Sequence, residues 1–339
     1  MHGLIFAYAQ PYPFGEICMK QLIHGGRLLT AGQLDGGPAD LLIDGDTIVA
    51  VLQPGESVGD DVRRIDARDR LLIPGLVNAH THAANQLNKG MVDRYSLELL
   101  LSAAPWTGGG RTVDYKYLSA YVGALEMVRK GCTACYDLAA EIPAPTVDGI
   151  EAVARAYNDV GMRAVIAPMM ADVTFYNAIP GLMDAIPPGL RERAAAIRLQ
   201  SHDQILATCR TILDGWSFDR DRLRPALGPT IPHHCTDDFL TGCRDLAKDH
   251  DIGVQMHVLE SKVQAVAGVR RYGTTLLFRI IGTEMLSIID MRNRTIHMRR
   301  TLRSSSRREA TAQGATYARS GGMRATALAI VSYGLPIPA

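Results

Sequence analysis

The chain has 339 residues, 47% hydrophobic and 21% charged, which excludes disorder over its bulk and allows two domains or one large α/β barrel with an appendage. With 36 Lys+Arg against 35 Asp+Glu the formal net charge is +1, so no whole-chain field draws nucleic acid or an anionic membrane. Apolar runs fall far short of the roughly 18 residues that span a bilayer. Six cysteines without regular spacing fit a reducing, cytoplasmic compartment better than a disulfide framework.

Residues 1–18 read as an N-terminal extension, uncharged apart from Glu16 and lacking the basic start of a signal peptide; Met19 is an alternative start. A small β domain is expected over 19–70, with strands at 21–29, 39–43 and 47–52 and a hairpin turn at Asp44-Gly45-Asp46. From Leu71 the pattern changes to short apolar strands alternating with helices. Strands are expected at 71–79, 131–137, 162–169, 224–229 and 252–257, with weaker ones at 293–297 and 314–318. Helical patterns cover 114–130, 146–160 and 236–249, the last with Thr236 as N-cap and Asp237-Asp238 in its first turn. Repeated β-α units predict a parallel sheet covered by helices, and a (β/α)8 TIM-type barrel is its closed form. The barrel core is expected over 71–270. Gly108-Gly109-Gly110 reads as a loop, since no G-x-G-x-x-G or Walker sequence accompanies it.

His80-Thr81-His82 closes the strand that begins at Leu71. In a strand, residues i and i+2 face the same way, so two imidazoles can point together and chelate one ion, most often Zn²⁺. The alternative is a pair of surface histidines in a loop. His257-Val258-Leu259-Glu260 closes the strand at 252–257, with Glu260 placed for proton transfer, or else as a surface carboxylate beside a core histidine. His297 follows Thr295-Ile296 at a third strand end. Asp137, at the end of the second strand, faces the site or caps a loop. Cys132-Thr133-Ala134-Cys135 places its thiols on opposite faces of a strand, which disfavours a shared metal and leaves small buried side chains.

The segment Leu72 to His82 closely resembles the first-strand signature of the amidohydrolase superfamily, in the branch of cytosine, guanine and triazine deaminases and chlorohydrolases. Met256-His257-Val258-Leu259-Glu260 is similar to that branch's fifth-strand H-x-x-E, and Gly228 to Cys235 resembles its loop after strand four. The resemblance covers roughly 21–270. It implies that His80, His82 and His257 ligate one divalent ion, Zn²⁺ or Fe²⁺, and that Glu260 moves the proton of an activated water. It implies that His297 orients that water. His233, His234, Gln86 and Trp106 are taken as substrate contacts. The implied reaction is hydrolytic displacement at a non-peptide C–N bond of a cyclic amidine, nucleobase or triazine-like small molecule. A dimer or larger assembly is also implied.

The C-terminal segment departs from that pattern. Residues 270–339 hold 12 arginines, no lysine and three acids, and no Asp follows Asp290, where the family ends its eighth strand with a metal-binding aspartate. The segment 271–339 is read as atypical: a truncated or frame-shifted end to a barrel incomplete in its last strands. The competing readings are a solvated tail and a nucleic-acid-binding tail. The expected consequence is reduced activity, and the alternative is an inactive homologue that at most binds metal.

Overall fold

The computed structural model describes residues 5–6, 20–29, 36–92, 94–282 and 328–332, with the backbone alone at 5–6, 106, 278, 281–282 and 328–332. His297, the strands expected at 293–297 and 314–318, and most of the arginine-rich segment lie outside the described residues. The chain divides into two compact units, the first comprising Met1–Asn78, Glu126–Ala134 and His297–Ala339, the second Ala79–Leu125 and Cys135–Ile296.

The first unit is built on a sheet of β1 (Ile5–Phe6), β2 (Lys20–Leu28), β3 (Gly37–Asp44), β4 (Thr47–Leu52), β5 (Val62–Asp66), β6 (Arg70–Pro74) and the strand Leu328–Ser332. β2 pairs antiparallel with β3 and parallel with β5 and β6, while Leu328–Ser332 runs antiparallel to β6. The expected hairpin joins β3 to β4, with Gly45 at φ +59°, a conformation that a Cβ disfavours. Ile23, Leu41, Ala67 and Leu72 are buried together at its centre. A Cβ on Gly26 would lie 2.8 Å from Leu72 Cγ, so glycine there lets the strands close over the core.

The single strand expected at 71–79 is two. β6 stops at Pro74, which has no N–H to continue the ladder, and β7 (Leu76–Thr81) joins a different sheet. That sheet has the order β10-β9-β8-β7, with β8 (Cys132–Ala140), β9 (Arg163–Met170) and β10 (Leu223–Pro225); β11 (Gly228–Pro229) also pairs with β9. β10 and β11 run parallel to β9. Among the described residues, the strand expected at 252–257 forms an isolated parallel bridge, Leu227 to Val254, continued by single bonds from Gln255 N–H to Leu227 O and from His257 N–H to Thr230 O.

Helices α1 (Leu97–Gly108), α2 (Val113–Arg129) and α3 (Val147–Val160) follow β7 and β8. In α3, Ile150, Val153, Ala154 and Tyr157 fall on one face and are buried, and the helix runs from a Thr146 cap to Gly161 at φ +78°. α2 buries only small residues, Ser119, Ala120, Gly123 and Ala124, which lets neighbours approach closely. The helix Asp237–Asp249 is capped by Thr236 as expected and buries Phe239, Leu240, Cys243 and Leu246 in one cluster with Ile205, Cys209 and Leu213 of His202–Asp214. Among the described residues no helix is long and apolar enough to cross a membrane.

Candidate metal centre

His80 is the penultimate residue of β7 and His82 follows the strand in extended conformation, φ −129° and ψ 94°. His257 stands at the end of the bonded run that begins at Leu227. The ring centroids of His80 and His82 are 4.8 Å apart, those of His80 and His257 5.0 Å, and those of His82 and His257 5.3 Å. One ring nitrogen from each lies within 4.8 Å of the others.

Backbone carbonyls decide which nitrogen two of the three rings present. His82 Nδ1 is 2.9 Å from Leu138 O, and His257 Nδ1 is 2.8 Å from Thr230 O. A carbonyl only accepts, so each Nδ1 carries the proton and donates, which leaves Nε2 with its lone pair. Burial pushes the His82 imidazole down to about 4, more than the Leu138 carbonyl raises it. Partial desolvation of its ring, and next the His257 neighbour, also lower His80, against the pull of Glu260. Neutral imidazoles at physiological pH are the ligating form. The donor set and its spacing therefore fit a divalent ion of the zinc type.

Between His257 and Glu260, Leu259 adopts φ +59°, a left-handed conformation rare for a branched residue. Glu260 is exposed and tied to the next helix, Lys262–Tyr272, by a reciprocal pair. Gln264 Nε2 donates to Glu260 Oε2 at 3.2 Å, and Glu260 N–H donates to Gln264 Oε1 at 3.1 Å. One cavity touches His82, His257, Glu260 and Thr230. Its other wall is largely apolar: Leu97, Leu100 and Leu101 of α1, with Ile142. Arg111 reaches the same cavity, but its guanidinium donates to Ala84 O and Thr107 O.

The remaining predicted contacts sit differently. Gln86 Nε2 donates to Thr81 Oγ1 and His82 O, and its Cγ lies 2.5 Å from where a Cβ on Gly123 would stand; the cavity wall carries Asn85 in its place. His233 and His234 are buried, 2% and 5% exposed, in a short turn over Pro232–His234, while Thr230 and Ile231 of the same loop face the cavity. Burial holds His233 down to about 4 and His234 down to about 3. The side chain of Trp106 lies outside the described residues, as does His297. The cysteines Cys132, Cys135, Cys209, Cys235 and Cys243 are free thiols.

Asp137 caps a loop, one of the two placements its position allows. It is 0% exposed and accepts from Ala83 N–H and from the Tyr157 hydroxyl, each at 2.9 Å. Two further residues carry no sequence signal for what they do. The Thr230 and Leu138 carbonyls act through the backbone, and any residue type supplies a carbonyl.

The chain matches the amidohydrolase family over residues 71–296. It is 32% identical over 255 residues to the 5'-deoxyadenosine deaminase of Methanothermobacter thermautotrophicus, covering 75% of this chain and 52% of that protein. It is 29% identical over 256 residues to the 5-methylthioadenosine/S-adenosylhomocysteine deaminase of Thermococcus kodakarensis, covering 75% and 53%. The chain thus spans about half the length of the curated relatives it matches. Among solved structures, the zinc complex of atrazine chlorohydrolase from Arthrobacter aurescens TC1 shares the fold, with a TM-score of 0.64 at 23% identity over 78% of this chain and 58% of that one. An adenosine deaminase from Xanthomonas campestris with bound zinc gives 0.62 at 23% identity, over 78% and 55%. The family match runs from the residues before His80 to well past Glu260 and takes in His80, His82 and His257, and on that ground the chain belongs to the amidohydrolase family.

Proposed function

We propose that this chain is a metal-dependent hydrolase of non-peptide C–N bonds in planar nitrogen heterocycles. The observation that carries the reading is the convergence of His80, His82 and His257 beside the cavity that Glu260 also lines. The three imidazoles would hold one Zn²⁺ or Fe²⁺ ion, which when bound supplies Lewis acidity and a water that ionises near neutrality. Glu260, at the cavity edge, takes a proton from the attacking water and returns it to a ring nitrogen or the leaving group. His297, by its resemblance to the family's sixth-strand histidine, orients that water. The sheet β7 to β11 is read as the opening part of a (β/α)8 barrel.

The apolar wall of Leu97, Leu100, Leu101 and Ile142 favours a substrate whose non-reacting part carries no charge. Of the relatives' named substrates, 5'-deoxyadenosine and 5-methylthioadenosine have that character and are the first to test, with S-adenosylhomocysteine, whose amino-acid tail is charged, as the contrast and triazines next. The experiment is ammonia release by zinc-loaded protein alongside Glu260→Gln and a His80→Ala/His82→Ala double variant. Glu260→Gln is expected to keep its zinc and lose about 10²–10⁴-fold in kcat. The double variant is expected to lose the zinc. Turnover by Glu260→Gln at the wild-type rate would remove Glu260 from the mechanism.

A second reading rests on the cluster itself, which among the described residues contains three histidines and no carboxylate. Zinc uptake without turnover of any of these substrates would identify a metal-binding homologue instead.

A further inference from the structure

The turn that follows His82 is held by two buried side chains that belong to neither the metal ligands nor the cavity wall. Ala83 is 1% exposed, and both its backbone polar groups are occupied from outside the turn. Its N–H donates to Asp137 Oδ1 on β8 at 2.9 Å, and its carbonyl accepts from Ser119 Oγ on α2 at 2.6 Å. Asp137 and Ser119 are each 0% exposed. The other carboxyl oxygen of Asp137 accepts from Tyr157 on α3, itself 0% exposed, at 2.9 Å. The residue after Asp137, Leu138, supplies the carbonyl that takes the His82 ring N–H. One dipeptide of β8 therefore fixes His82 twice, at the ring and at the peptide beyond it.

We propose that Asp137 is a positioning residue for the metal ligand His82, with Ser119 as its counterpart on the opposite side of Ala83 and Tyr157 as the strut that holds the carboxyl in place. The inference rests on the reading of His80, His82 and His257 as ligands. Its physical basis is the cost of misplacing a ligand. His82 is joined to Ala83 by a planar peptide, so a rotation of the Ala83 N–H swings the His82 carbonyl and with it the base of the imidazole. A ligand aimed by its surroundings binds without ordering cost, and outer partners of metal ligands typically carry tenfold to a hundredfold in affinity. Burying a carboxyl group beneath a turn is expensive, and here both its oxygens are matched to donors.

The test is the zinc dissociation constant, measured by competition with a chromophoric chelator, next to the unfolding midpoint of each variant. Asp137→Ala is expected to bind zinc about ten to a hundredfold more weakly. Asp137→Asn keeps an oxygen toward Ala83 N–H and presents its amide to the Tyr157 oxygen, and is expected to stay within about threefold of wild type. Ser201→Ala, which weakens a remote helix cap, serves as the control: it should lower stability and leave zinc affinity unchanged. A folded Asp137→Ala with wild-type affinity overturns the proposal, as does an Asp137→Asn as weak as Asp137→Ala. Should Asp137→Ala fail to fold, Ser119→Ala decides, since it releases Ala83 from the other side: weaker zinc binding supports the proposal and unchanged binding overturns it. Failure of the wild-type chain to take up zinc removes the ligand assignment and this inference with it, a result distinct from the other outcomes.

Discussion

Thr230 contributes to the histidine cluster through its backbone rather than its side chain. Its carbonyl accepts both the His257 N–H and the His257 ring, and its own N–H donates to Met170 O at 2.8 Å. The prediction follows that Thr230→Val, nearly isosteric and with the same carbonyl, keeps zinc affinity within about twofold of wild type. A larger loss in the chelator competition would mean that the hydroxyl matters. In the sequence, His233 and His234 are the conspicuous residues of this loop because imidazoles carry recognisable chemistry. The fold turns both inward, where His233 Nδ1 and His234 Nε2 have no hydrogen-bond partner among the described residues. His80 and His82 were legible for the opposite reason: alternation along an extended chain fixes their common direction locally.

At the level of elements, caps and apolar periodicity locate the helices whose signals are local. The helix expected at 236–249 runs Asp237–Asp249 and that expected at 146–160 runs Val147–Val160, because cap and periodic core positions are both written locally. His202–Asp214 begins with a full capping box, in which Gln204 N–H donates to Ser201 Oγ at 3.3 Å and Ser201 N–H donates to Gln204 Oε1 at 3.2 Å. Ser201→Ala is expected to destabilise the protein by about 0.5–2 kcal/mol, read from urea unfolding at neutral pH. An unchanged midpoint would show that packing of Ile205, Cys209 and Leu213 alone holds the helix. The strand expected at 71–79 was divided by the structure because a missing donor at Pro74 ends one ladder while the hydrophobic run continues into another. Hydropathy does not register that change.

For the whole molecule, buried titratable groups set a pH dependence whose sign can be worked out. Burial, reinforced by the nearby Arg271, holds His233 at about 4 and His234 at about 3; Arg279 adds to the first and His233 to the second. The unfolded chain takes up these protons near 6.5 and the folded chain does not, so stability that is complete above 6.5 is lost as pH falls toward 4. Asp137 works the other way. Burial raises it to about 7, above its ordinary 3.8, so its contribution is complete below 3.8 and declines as pH rises toward 7. Two histidines outweigh one carboxyl between pH 4 and 6.5, and the urea midpoint is expected to fall on acidification through that window. His234→Gln should flatten the slope. A midpoint independent of pH in the wild-type chain would contradict the burial of these imidazoles.

The sequence by itself determined what is local: the α/β alternation, the bounds of the helices at 146–160 and 236–249 to within a residue, the Asp44-Gly45-Asp46 hairpin, and two histidines sharing a direction two residues apart. These depend on periods of 2 and 3.6 residues, on caps, and on turn chemistry confined to a few neighbours. The tertiary structure alone decided what depends on distant residues meeting. It brought His257 to His80 and His82, chose Nδ1 as donor for His82 and His257 through the carbonyls of Leu138 and Thr230, buried His233 and His234, and set Asp137 under Ala83. Backbone carbonyls and N–H groups are common to nearly every residue, so their use in aiming a side chain leaves no mark on the sequence until the chain is folded.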